Sequence, residues 1–129
     1  MALLTTNVHK NKLVNLTTQY VSPQVFLFTN NHTPDYADTF GLYTEPTDGA
    51  YAQQPLLAGT ISDSSGTAQD VFPMVTFPAM SADLDVYGWG LVDTATGTLI
   101  GASLFDGAPL TINAGNIMPL IITYVIGPC

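Results

Sequence analysis

Arginine is absent from this chain, and its two lysines, Lys10 and Lys12, both fall within the first dozen residues. Against ten acidic residues this leaves a formal charge of −8, so the surface repels a phosphate backbone and nucleic acid is excluded as a partner. Cysteine occurs once, as the last residue, Cys129, which rules out an internal disulfide and gives no sign of an oxidising compartment. Charged side chains make up 9% of the chain, against roughly 25% in an average soluble domain. The surface must therefore be built from Thr, Ser, Asn, Gln and Gly, or be buried in an assembly. Long apolar runs are missing too. The longest, from Ile117 to Ile126, contains Pro119 and is about half the roughly 20 residues that a membrane-spanning helix needs. The opening MALLTTNVHKNK turns polar too soon for a secretory signal, so the reading is a soluble protein made in a cytoplasm, with no membrane partner.

Catalytic sets are equally scarce. Nucleophilic hydrolysis needs Ser or Cys beside a base oriented by a carboxylate, and the only histidines are His9 and His32, with no Gly-x-Ser-x-Gly elbow anywhere. Gly88, Gly90, Gly97 and Gly101 lie in and between apparent strands, where close backbone approach explains them better than a phosphate-binding loop. Asp83 and Asp85 form a D-x-D and Asp63 sits in a polar loop, but these do not make the spaced oxygen set of a calcium site. Glu45 is the sole glutamate, which disfavours a paired-carboxylate glycosidase. The expectation is no enzyme, no cofactor and no metal.

What is present is β-pattern. Residues 84–126, LDVYGWGLVDTATGTLIGASLFDGAPLTINAGNIMPLIITYVI, give apolar runs separated by DTATG, DGAP and NAGN, a meander marked by turn residues. If Asp93 pairs with Thr98, Leu91 faces Ile100 and Trp89 faces Ala102 on one side, while Val92 with Leu99 and Val86 with Phe105 fall on the other. Both faces then carry large apolar groups, whereas a solvated hairpin keeps one polar. One face can be covered by a second sheet of the same subunit; the other needs a neighbouring chain or a close-lying loop.

Ahead of the meander, residues 1–20 read as an N-terminal arm or short helix, and residues 21–129 as the folded domain. QVFLFT (24–29) is a short apolar run bounded by Pro23 and Asn30, hence a buried strand. NNHTPDYADTFG is loop, LYTEP a short strand or edge segment, and residues 50–57 a weak strand that Pro55 confines to a sheet edge or a bulge. SDSSGT is an exposed tip, and DVFPMVTFPAM a kinked strand crossing between sheets. The 129 residues suffice for one domain with its own core. The count is seven to eight short, mainly antiparallel strands, an all-β single β-sandwich or jelly-roll-like domain. Among the aromatics, Tyr36, Tyr43, Tyr51, Tyr87 and Trp89 offer platforms for a sugar ring, although the strand period places Trp89 in core or interface.

Two stretches carry a family likeness. LFTNNHTPDYADTFGLYTE (27–45) resembles an L-Y-x-N-x-x-T-P-x-x-A-D segment of small proteins encoded among the structural genes of tailed bacteriophages. Residues 72–126 look like their second half, with an F-P-x-V-x-F strand, a V-Y-G-Y-like strand and a D-x-x-G-x-L turn. Asn116 and Ile117-Met118-Pro119 depart from that pattern by making the last strand more apolar. The resemblance implies a head decoration (cement) or small tail or fibre protein, oligomeric and without enzymatic activity. The expected function is thus a virion protein, synthesised in the host cytoplasm, that binds the major capsid protein or other virion proteins from outside and strengthens the shell. A homo-oligomer is expected, a trimer by preference. The expected contact residues are Lys10 and Lys12 in the arm and Val86, Val92, Leu99 and Phe105 on the hairpin. The alternative is a tail or fibre adhesin that recognises host glycans.

Overall fold

Val25, Phe26, Leu27 and Phe28 are all wholly buried, although a strand points successive side chains to opposite faces. Strand β1 (Pro23–Phe28) is therefore covered on both sides, and the fold is organised around it. Complete burial of such side chains is worth roughly 1.5–3 kcal/mol each, as an upper bound. A computed structural model describes residues 20–64 and 67–126. It shows an all-β chain of the β-sandwich type, whose paired strands all run antiparallel. The one helical element among the described residues is a 3-10 turn at Phe40–Leu42.

The largest sheet has four strands. β2 (Gln54–Pro55) forms one edge, then β1, then β7 (Gly88–Asp93), then β8 (Thr98–Leu104) at the other edge. Pro55 sits at an edge, where a missing N–H costs no ladder bond, one of the two places its sequence position allowed. β3 (Thr60–Ser64), β4 (Thr67–Val71) and β11 (Thr123–Ile126) make a three-stranded sheet with β4 in the middle. β5 (Val75–Phe77) pairs with β10 (Met118–Leu120), and β6 (Leu84–Val86) with β9 (Leu110–Ile112). The stretch DVFPMVTF does cross between sheets: it leaves β4 at Val71, breaks at Pro73-Met74 and resumes as β5. The expected strand at LYTEP is absent, since Leu42 and Tyr43 instead close the 3-10 turn onto Thr39 and Phe40. Among the described residues eleven short strands stand where seven to eight were expected, because prolines and turns cut the longer runs. The turns hold as read: Gly97, Gly107 and Gly115, one in each of DTATG, DGAP and NAGN, have φ of 73°, 70° and 83°, the left-handed region that glycine enters at least cost.

One face of the four-stranded sheet packs Val25, Leu27 and Leu91 against Phe77, Val86, Ile112 and Met118 from the smaller sheets. The opposite face packs Phe26, Phe28 and Val92 against Tyr43, with Phe40 and Leu99 alongside. Here the glycines have a direct role. Phe26 pairs with Gly90 and Phe28 with Gly88, and a Cβ on either glycine would lie 2.5 Å from the facing phenyl ring. The rings lie over the bare backbone, an aromatic cover that pins register.

The β7–β8 hairpin corrects two expectations. Asp93 does pair with Thr98 and Val92 with Leu99, but a bulge follows, and Leu91 pairs with Gly101 rather than Ile100. One extra residue flips everything after it to the other face. At Tyr87 the chain also passes from β6 into β7. Val86 and Phe105 therefore join the core on the first face while Val92 and Leu99 join the second, so these four do not form one surface. Val86 and Val92 are buried by their own chain, which corrects their assignment as contact residues. The second face is closed by the loop after β1, one of the two coverings the sequence allowed.

Candidate functional site

The loop after β1 is tied down by side chains that its turn-rich sequence supplies. The Asn30 carboxamide accepts from the Thr44 amide at 2.9 Å and donates to the Leu42 carbonyl at 3.0 Å. Asp35 caps the Ala37 amide at 2.9 Å, an Asx turn. At the centre is Asp38, whose Oδ2 accepts from the Tyr43 hydroxyl at 2.6 Å and the Asp35 amide at 3.0 Å and lies 2.8 Å from His32 Nε2. The Tyr43 hydroxyl, the Asp35 amide and His32 together hold the Asp38 carboxyl below its usual range. Burial, then the bond to Asp38, pushes the Tyr43 phenol well above its own. The His32 ring stands edge-on to Tyr43 at 5.1 Å.

Beside this cluster the loop and β8 enclose a cleft of about 300 Å³, lined by Pro34, Asp35, Tyr36, Asp38 and Tyr43 on one wall and Leu99 to Ala102 on the other. Tyr36 is fully exposed at its rim. On the opposite face of β8 a smaller, more apolar hollow of about 150 Å³ is lined by Trp89, Leu91, Ile100, Gly101, Ile122 and Thr123. Between the two runs the outer edge of β8, which has no strand neighbour on that side among the described residues. The Phe105 amide donates to the Tyr87 carbonyl, so by antiparallel alternation the amides of Leu104 and Ala102 point away from β7. Residues 98–104, TLIGASL, carry no charge and no proline, the usual guards of an open edge.

A third hollow, again of about 150 Å³, lies across the molecule between Gln54, Pro55, Leu57, Pro73, Met74 and Thr76. None of these is charged, and Leu57 and Met74 are 60% and 61% exposed.

Of the residues singled out from sequence, Leu99 and Phe105 are half-buried, while His9, Lys10, Lys12 and Cys129 lie outside the described residues. The D-x-D acids act as struts: Asp83 accepts from the Ala114 amide at 2.8 Å and Asp85 from the Thr111 hydroxyl at 2.6 Å. Tyr51 is no platform. It stacks on Phe77 at 5.9 Å, and its hydroxyl accepts from the Leu27 amide and donates to Glu45. Trp89 is half-buried against the core, as the strand period required. The Asp35–Asp38–Tyr43 cluster does not stand out in a stretch that reads as loop, although the D-x-x-D spacing beside a proline and ahead of F-G-L-Y marks a self-capped loop. No protein-family model matches the chain, and comparison with curated proteins gives no match either.

Proposed function

We propose that this chain is a non-enzymatic structural protein of a tailed-phage particle, a decoration or cement protein that binds the outer shell as an oligomer and braces the major capsid protein. The observation that supports it best is the uncharged groove with Leu57 and Met74 about three-fifths exposed, in a chain that closes both faces of its main sheet by itself yet leaves these two, with Ile117 and Ile121, largely exposed. Exposed apolar side chains gathered at an uncharged hollow suit the core of a contact surface. The likeness of residues 27–45 and 72–126 to phage structural proteins supplies the kind of particle. The test is co-sedimentation of the purified chain with heads that lack it. Binding should saturate at a fixed ratio to the capsid protein, and Leu57→Asp with Met74→Asp should weaken it at least tenfold while the fold persists.

A second reading, a tail or fibre adhesin for host glycans, has one observation in its favour. The exposed Tyr36 stands beside Asp35 and Asp38 at the 300 Å³ cleft, an aromatic face next to hydrogen-bonding carboxylates. A glycan array separates the two readings: signal that disappears in Tyr36→Ala, with no binding to heads, selects the adhesin.

A further inference from the structure

We infer that the outer face of the β5–β10 ribbon, together with the Leu57–Met74 groove beside it, meets the same face of a second copy across a two-fold axis. The inference rests on the oligomeric reading above and deepens it by naming the surface and its occupant.

The face follows from strand alternation. In β5 and β10 the side chains of Val75, Phe77 and Met118 enter the core, so those between and beside them point outward. Thr76 stands opposite Pro119. The Gly115 amide donates to the Met80 carbonyl at 3.0 Å, which carries the alignment on and brings Ile117 opposite Pro78. At the other end Leu120 pairs with Val75, which puts Ile121 beside Met74. These six outward residues are all exposed. Met74 and Thr76 also line the groove, with Gln54, Pro55 and Leu57 on its other wall, so ribbon and groove make one surface.

Charge and area select a second copy. The three stretches that build this surface, residues 49–62, 71–82 and 107–129, contain no charged side chain. Asp48 and Asp83, at the Met80–Gly115 end of the ribbon, are already bonded to the amides of Ser81 and Ala114. Two copies of net charge −8 repel where their acidic surfaces approach, and this face lets them touch without bringing carboxylates together. Apart from Tyr36, five large apolar side chains among the described residues are exposed by 60% or more, and four of them are here: Leu57, Met74, Ile117 and, at 73%, Ile121. No other surface among the described residues gathers as many, so the complement of this face on a copy is the face itself, an isologous contact that closes at two. The sequence favoured a trimer; this surface makes a dimer. The four side chains expose roughly 500 Å², and with Thr76 and the prolines around them the face comes near the roughly 800 Å² per partner of a stable complex.

The test is the molar mass of the full chain by light scattering over a concentration series. Wild type should approach the mass of two copies, and because the contact is apolar and the copies repel, association should hold or tighten as salt is raised. Ile117→Asp with Ile121→Asp should weaken it by at least about tenfold. Ile117→Thr with Ile121→Thr adds no charge and keeps β-branched side chains in the strand, and it should weaken association in the same direction even where the aspartate pair fails to fold. Thr33→Asp, on the loop that covers the opposite face of the main sheet, should leave it unchanged. A wild type that stays monomeric, a mass of three copies, association that salt dissolves, or association unmoved by either isoleucine pair overturns the inference. A dimer also grips the shell at two points, so the Leu57 and Met74 changes reach head binding by undoing it. Head binding is scored separately: a dimer that ignores heads overturns only the decoration reading, and a monomer that binds heads through Ile117 and Ile121 gives this face to the capsid protein and overturns only this inference.

Discussion

Tyr51 shows how much one side chain holds together. β2 reaches only Gln24 and Val25, so beyond them β1 has no neighbouring strand on that side among the described residues, and the Leu27 amide is satisfied by the Tyr51 hydroxyl at 3.1 Å instead. The same hydroxyl donates to Glu45 at 2.6 Å, and burial foremost, then Glu45, keeps the phenol above its usual range. Tyr51→Phe keeps the stack on Phe77 but orphans that amide, and it should cost about 1–3 kcal/mol in urea denaturation. Asp70 is the opposite case. It is 1% exposed, and neither carboxylate oxygen has a hydrogen-bond partner among the described residues, so burial raises its pKa above 3.8. A carboxyl that is harder to ionise folded than unfolded costs stability at neutral pH, and the cost fades as pH falls through the raised pKa. Asp70→Asn should therefore raise the midpoint at pH 7, and the gain should shrink toward pH 4 in paired denaturation curves. Asp38 has the reverse sign: its lowered pKa gives stability above the ordinary 3.8 that is lost as pH falls through the folded value. In acid the loop amides, Asp35 among them, should gain hydrogen exchange before those of β1.

At the scale of elements, the β7–β8 hairpin joins core and edge. Gly88 and Gly90 face Phe28 and Phe26, and a Cβ at Gly88 would also lie 2.1 Å from the Ser103 carbonyl, while one at Gly101 would meet nothing within 4 Å. Gly88→Ala should cost about 1–3 kcal/mol by overpacking, whereas Gly101→Ala should fall within about 0.5 kcal/mol of wild type, both read from denaturant midpoints. Much of this region was legible in sequence. The turns at Gly97, Gly107 and Gly115, the strand at 24–29, the edge position of Pro55 and the crossing at Pro73 all follow from residues with strong backbone preferences. The bulge at Ile100 was not legible, because either register places apolar residues on both faces and hydrophobic pattern alone does not choose between them. The cover over the second face was hidden for another reason. It comes from Phe40, in a segment that reads as loop, and Tyr43, in one that reads as a short strand, and only their edge-on packing on Phe26, at 5.0 and 5.7 Å, makes it a lid for the sheet.

For the whole molecule, the sequence argued that a small fold with two apolar sheet faces needs neighbours to finish its core. The structure removes that particular reason, since both faces of β1 and β7 are closed by the chain itself. Contact-making then rests on features that are exposed rather than unfinished: the Leu57–Met74 groove and the uncharged outer edge of β8. With a net charge of −8 and so few cations, electrostatic attraction between copies is confined to places where Lys10 and Lys12 can be matched with carboxylates, so any association through them should weaken as salt is raised. The most direct measurement is the sedimentation of the purified chain with heads that lack it. The decoration reading predicts saturation at a fixed ratio to the capsid protein and heads that withstand heating better once saturated; chain left wholly in the supernatant, with head stability unchanged, contradicts it.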